Sequence, residues 1–200
     1  MANAEAAFRN LHQDLLDGCK TGDQKAQFKI YKLYYKAMYN TSLRIVNDTM
    51  EAEDIMQESF LSAFEKIDTY SGTVSFGAWL KRIVINRSLD ALSRRKAIFE
   101  DIELHVGIRD ESSDDIVRKE ELDIKVEEVK EAINRLPDGY RIILSLYLLE
   151  GYDHDEIAEI LEISSSTSRS QLSRAKQKLI AEMKKNLPEA VKYYQKAKIF

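Results

Sequence analysis

Apolar positions recur along the chain at steps of three and four, in blocks separated by short polar breaks, a pattern that predicts helices. From Gln24 to Val46 the block is long, with Phe28, Tyr31, Leu33, Tyr35, Met38 and Leu43 among its apolar positions. Asn47-Asp48-Thr49 interrupts it. Thr49 is expected to cap the next helix, with Glu51 and Glu53 in a first turn where acidic side chains suit the helix dipole. That helix is expected to reach about Ile67, because Ala52, Ile55, Met56, Phe60, Ala63, Phe64 and Ile67 form one stripe. Asp68 to Ser75 reads as a loop pivoting on Gly72. Phe76 to about Lys96 reads as a further helix, with Trp79, Leu80, Ile83, Val84 and Leu89 as its buried side.

Residues 97–128 lack a clean period, and helical pattern resumes near Leu122. Leu136-Pro137 marks a boundary, since proline fits a helix's first turn and restricts the residue before it. The apolar run Tyr140 to Leu149 stops before Gly151, a suitable C-cap. Asp153 followed three positions later by Glu156 resembles a capping box, with Asp in place of Ser or Thr. The short helix 154–161 is expected to bury Ile157, Ala158 and Leu161. Glu162-Ile163-Ser164 forms a turn, and Ser164 is expected to cap a last helix running to about Asn186. A short helix, a three-residue turn and a second helix match a helix-turn-helix.

Composition strengthens the helical reading: only 7 glycines and 2 prolines stand in 200 residues rich in good helix formers. Cys19 is the only cysteine, which excludes an intramolecular disulfide and suits a reducing compartment. The three histidines are scattered without ligand spacing, so no metal site or cofactor is expected. Met1 to Lys20 has no apolar stretch of the signal-peptide kind, and Ile142 to Leu149 is too short to span a bilayer. A cytoplasmic protein without membrane insertion is expected. The formal net charge of -4 looks wrong for a nucleic-acid binder, but its distribution is uneven. Residues 1–96 carry +2, residues 97–128 carry -8, and residues 129–200 carry +2. Asp110-Glu111-Ser112-Ser113-Asp114-Asp115 is the centre of an acidic connector, read either as a solvated spacer or as a segment lying in a partner's basic channel.

In the second helix of the helix-turn-helix, Ser168, Leu172, Ala175, Leu179 and Met183 fall on an inner stripe. Ser166, Arg169, Ser170 and Ser173 fall on a separate polar face, with Arg174, Lys176 and Lys178 beside it. A guanidinium can bind guanine through two hydrogen bonds in the major groove, while hydroxyls and Lys reach phosphates. The pattern alone also admits a helical hairpin with a solvated polar face.

Three stretches carry a family resemblance. Leu136 to Leu179 (LPDGYRIILSLYLLEGYDHDEIAEILEISSSTSRSQLSRAKQKL) resembles region 4 of extracytoplasmic-function (ECF) sigma factors of the sigma-70 family. Glu51 to Phe60 (EAEDIMQESF) and Phe76 to Asp90 (FGAWLKRIVINRSLD) resemble two helices of region 2. The three occur in the family's order. The resemblance implies that region 2 grips core RNA polymerase and opens the -10 element, and that region 4 docks its second helix in the -35 element. By resemblance Asp54, Gln57 and Glu58 face the polymerase's clamp helices. Tyr70 and Asn86 hold an unpaired base of the -10 non-template strand, an aromatic by stacking and an amide through the base edge. Lys81, Arg82, Arg87, Arg94 and Arg95 are the accompanying candidates for phosphate contacts. Trp79 reads as core before base wedge. For the -35 duplex the implied set is Ser166, Thr167, Arg169, Ser170, Ser173, Arg174 and Lys176. The chain departs from the family pattern at Ser166 (often Gly), Ser168 (usually Val) and Gln171 (commonly basic), departures that bear on the promoter sequence more than on the function.

The reading is thus an all-α chain of two small helical domains joined by an acidic linker. Residues 8–96 form the region-2 bundle, 97–128 the linker, 129–186 the region-4 helix-turn-helix domain and 187–200 a tail. The expected function is promoter recognition, DNA opening and transcription initiation with core RNA polymerase. The expected partners are core RNA polymerase, promoter DNA and an anti-sigma protein. No reaction is assigned to the chain itself. A stand-alone helix-turn-helix regulator would explain residues 136–180 but not EAEDIMQESF or the helix after it. A helical enzyme finds no nucleophile, metal cluster or phosphate loop in the sequence.

Overall fold

A computed structural model describes residues 12–100 and 126–185. The central linker residues 101–125, the expected resumption of helix near Leu122 and the tail 187–200 lie outside the described residues. The chain divides into two compact units, Met1–Lys96 and Ala97–Phe200. No strand occurs among the described residues, and no helix among them is long and apolar enough to cross a membrane.

The first unit contains α1 (Gln13–Lys20), α2 (Gln24–Val46), α3 (Thr49–Glu65), a 3-10 turn (Ile67–Thr69) and most of α4 (Phe76–Glu100). Asp23 caps α2 by accepting from the Lys25 N–H at 2.8 Å. The α1–α2 hairpin is tight: a Cβ at Gly18 would lie 2.7 Å from the Ala26 Cβ, so only glycine fits without a shift. Asn47 ends α2 in the left-handed region (φ 56), a conformation its short amide side chain tolerates. Asp48, not Thr49, then caps α3, accepting from the Glu51 N–H at 2.9 Å. Thr49 is the first helical residue, because the extended backbone at Asp48 already aims a carboxylate at the free donors. α3 also stops earlier than expected, at Glu65, where Lys66 turns the chain into the 3-10 segment.

The core of this unit gathers Leu16, Cys19, Ile30, Met38, Met56, Phe60, Ile67, Phe76, Leu80 and Val84. Each fully buried Ile, Leu, Met or Phe stabilises the fold by about 1.5–3 kcal/mol. The Cys19 thiol has its pKa raised by burial and then by the Asp23 carboxylate, which keeps it protonated. α4 joins the core through Tyr34–Phe76 ring contact and a buried Ser42–Ser88 hydrogen bond of 3.0 Å. The buried side of α4 differs from the expected one. Leu80 and Val84 are buried, but Trp79, Ile83 and Leu89 are half-buried, while Phe76, Ile85, Ser88, Ala91 and Leu92 are enclosed. Ser88 meets α2 directly through that hydrogen bond to Ser42.

The second unit contains α5 (Val126–Asn134), α6 (Asp138–Leu144), a π-turn continuing it (Ser145–Leu149), α7 (His154–Leu161) and α8 (Ser165–Lys185). α8 packs against α5, α6 and α7. Ile133, Ile143, Leu144, Leu146, Ile157, Leu172 and Ala175 are buried. Arg141 is buried as well, and it is satisfied: its guanidinium meets Asp138 at 2.7 Å and donates to the Leu136 carbonyl at 3.3 Å. That arginine ties the α5–α6 corner at Pro137 together. The helical run leaves the π-turn through Gly151 at φ 81, where a side chain would be strained. In α7 the buried pair is Ile157 and Ile160; Ala158 and Leu161 are only half-buried.

Candidate polymerase and nucleic-acid interfaces

The helix-turn-helix is held by local polar geometry. Asp153 accepts from the N–H groups of Asp155 and Glu156 at 2.9 and 2.8 Å, and the Glu156 carboxylate accepts from the Asp153 N–H at 2.8 Å. Both halves of the expected capping box are therefore formed. Glu162 closes α7 in the left-handed region (φ 54), and the Ile163 N–H returns to the Ala158 carbonyl. Ser164 accepts from the Thr167 N–H at 3.0 Å and so caps α8. Ser165 donates to Asp155, joining the two helix starts across the turn.

This framework exposes Ser166, Arg169, Ser170, Ser173, Arg174 and Lys176, with Thr167 half-buried beside them. Ser168, Leu172, Ala175 and Leu179 are buried on the inner side, and Met183 is half-buried. Ser168, the polar member of the stripe, meets the His154 ring Nδ1 at 2.9 Å. His154 in turn stacks on Tyr147 at 5.1 Å between ring centroids, and the Lys176 ammonium lies 5.4 Å above the Tyr147 ring. Tyr147 and His154 are the residues that pattern reasoning missed here. Their contact depends on the π-turn, which brings position 147 over the start of α7 and has no signature in the periodicity.

In the first unit Asp54, Gln57 and Glu58 are all exposed on α3. Gln57 donates to Glu53 at 3.3 Å, and Glu58 pairs with Arg87 of α4 at 2.9 Å. Between α2 and α3 lies an open groove lined by Phe28, Tyr31, Gln57, Phe60, Leu61 and Phe64 among others. Phe28 and Leu61 are 60% and 65% exposed, so this groove presents apolar surface beside Gln57.

The residues expected at the -10 element divide into groups. Asn86 and Arg94 are exposed, and Lys81 and Arg82 are half-buried with partners of their own. Arg95 is engaged with the fold, donating to the Val46 carbonyl at 3.1 Å and to Glu51 at 3.3 Å. Tyr70 departs from the expectation of a base-stacking loop aromatic. It is only 7% exposed; its hydroxyl donates to the Val74 carbonyl at 2.6 Å and its ring packs on Phe76 and Trp79. The apolar ring gains more from that aromatic cluster than from water, and the Val74 carbonyl satisfies its hydroxyl. No group of His, Cys, Asp and Glu among the described residues is arranged to hold a metal ion.

Comparison with known proteins gives a consistent pattern. The description "Sigma-70 region 2" matches residues 30–98, and "Sigma-70, region 4" matches residues 126–179. The chain is 30% identical over 168 residues to the ECF RNA polymerase sigma factor SigW of Bacillus subtilis, covering 80% of this chain and 90% of that one. It is 31% identical over 176 residues to an ECF RNA polymerase sigma-E factor of Haemophilus influenzae, covering 82% and 91%. It is 29% identical over 189 residues to an RNA polymerase sigma-H factor of Pseudomonas aeruginosa, covering 89% and 96%. Among solved structures, the fold is similar to the sigma factor RpoE of Bartonella quintana, crystallised with the anti-sigma factor NepR. The TM-score is 0.55 at 23% identity, covering 80% of this chain and 97% of that chain.

Proposed function

The chain belongs to the ECF group of the sigma-70 family and so directs RNA polymerase to promoters, and we propose that it does this through two surfaces, one on each unit. The exposed polar face of α8 reads the -35 duplex. Arg169 is the base-reading residue, with Ser166, Thr167, Ser170 and Ser173 close enough to the groove floor to follow its edges. Arg174 and Lys176 meet phosphates. The observation that carries this half is the separation of the two sides of α8: Ser168, Leu172, Ala175 and Leu179 are enclosed, while Arg169, Ser170, Ser173 and Arg174 are exposed.

On the first unit, Asp54 and Gln57 dock on core polymerase, and the exposed Leu61, one turn further along α3, extends that contact. Glu58 serves it through its ion pair with Arg87, which ties α3 to α4. Asn86 holds an extruded base of the -10 non-template strand, with Lys81, Arg82 and Arg94 toward its phosphates. Tyr70 acts from beneath: by holding the Val74 carbonyl it sets the shape of the 70–75 loop. Arg87 and Arg95 fix helix positions first and contact DNA only secondarily. The chain forms no covalent bond itself; polymerase supplies the chemistry, in the cytoplasm. Chemistry of the same kind, an amphipathic helix laid in the α2–α3 groove, would suit an anti-sigma protein.

Run-off transcription with purified core polymerase and genomic promoter fragments tests this reading. Asp54→Ala with Gln57→Ala is expected to lower core-polymerase affinity at least about tenfold, roughly 1.4 kcal/mol, with the helical circular-dichroism signal unchanged. Unchanged affinity removes α3 from the interface. Arg169→Ala is expected to cost about 1–3 kcal/mol on the cognate -35 sequence and to relax preference at one base position. An equal loss on every -35 sequence assigns Arg169 to phosphate.

A further inference from the structure

α2 carries a charge pattern that neither of these surfaces uses. Its sequence, Gln24 to Val46, contains no Asp or Glu at all. Lys25, Lys29, Lys32 and Lys36 follow one another at steps of four, three and four. At 100° per residue they fall within one narrow arc, a row about 16 Å long. All four are exposed, and none forms an ion pair with a described residue. Neighbouring lysines at these spacings repel one another, so the row weakens the helix unless an anionic partner neutralises it. Two apolar side chains flank it. Phe28, with the Lys32 ammonium 5.5 Å from its ring centroid, lies on one side, and Leu33, 51% exposed, lies on the other.

We propose that the Lys25–Lys29–Lys32–Lys36 row of α2, with Phe28 beside it, is a binding surface for the backbone of single-stranded nucleic acid. The row is built of point charges on flexible stems, with no arginine fork for a carboxylate, which suits tracking a phosphate chain more than docking on an acidic protein. The exposed Phe28 ring supplies a face on which any base can stack, the usual companion of such a row. The surface therefore binds without sequence preference and adds grip on a separated strand to the base-specific contacts proposed for α4.

The test uses the full-length protein and a fluorescent oligodeoxythymidylate, followed by anisotropy across a salt series. The wild type binds it at low salt. Replacing all four lysines with Ala weakens binding at least about tenfold at low salt and flattens the log-affinity against log-salt slope by about three. The fourfold Lys→Arg variant keeps both. Phe28→Ala, which leaves every charge in place, weakens binding about tenfold with the slope unchanged. No single-strand binding by the wild type overturns the proposal. So does an unchanged slope in the Ala variant. Loss of core-polymerase affinity with single-strand binding intact also overturns it, and assigns the row to an acidic protein surface.

Discussion

Ser145 opens the π-turn with 1% of its surface exposed, and its hydroxyl is the one buried side-chain polar atom among the described residues without a hydrogen-bond partner. Leaving such a group unsatisfied costs about 1–3 kcal/mol, whereas Ala at the same place buries nothing polar. Ser145→Ala is expected to stabilise the second unit by about 1 kcal/mol, read as a higher urea midpoint; a lower midpoint would mean the hydroxyl is engaged. The contrast with Ser88, whose hydroxyl donates to the Val84 carbonyl and meets the Ser42 hydroxyl, shows why residue identity alone does not separate costly from harmless buried serines. The candidate site has the same limit. Asn86 was singled out by family resemblance alone, whereas the exposure of Arg169 was legible, because a polar residue on an amphipathic helix needs only periodicity to be placed. The burial of Tyr70 was not, because an aromatic in a polar stretch gives no sign that Phe76, Trp79 and the Val74 carbonyl enclose it.

At the level of elements, sequence patterning located α2 at its observed limits and the start of α8 at its cap, since both ends carry a capping side chain or a break. It left open which apolar positions of α2 face outward, as Phe28 and Leu33 do, and it carried α3 past Lys66, where a 3-10 turn follows with no breaker residue to announce it. The capping box of α7 is the element-scale feature with the clearest consequence. Asp153 holds two N–H groups of the first turn, and Glu156 returns the favour to its backbone. α7 has eight residues, too few to persist without such support or packing. Asp153→Ala is expected to cost about 0.5–2 kcal/mol of stability and to weaken promoter binding, while Asp153→Ser restores most of both. Thermal unfolding of the two variants separates these outcomes. Equal losses for Ala and Ser would mean that charge at the helix start, rather than the hydrogen bond, is what matters.

For the molecule as a whole the decisive feature is how charge is divided. A net charge of -4 would argue against nucleic-acid binding if it were spread evenly. It is concentrated in residues 97–128, which carry -8, while the segments on either side each carry +2. Carboxylates tethered to both units are expected to compete with phosphate for lysines and arginines, most strongly where screening is weakest. Promoter-independent DNA binding by the free chain is then expected to be held down by this charge. Replacing Asp110, Glu111, Asp114 and Asp115 with their amides takes the formal net charge from -4 to zero. That variant is expected to bind non-promoter DNA several-fold more tightly at about 50 mM salt, with the gain shrinking toward nothing by about 300 mM. Anisotropy on one random-sequence duplex at the two salt concentrations decides it. A gain that persists at high salt would mean the amides create a contact of their own, and no gain at low salt would mean the acidic charges act on polymerase rather than on DNA.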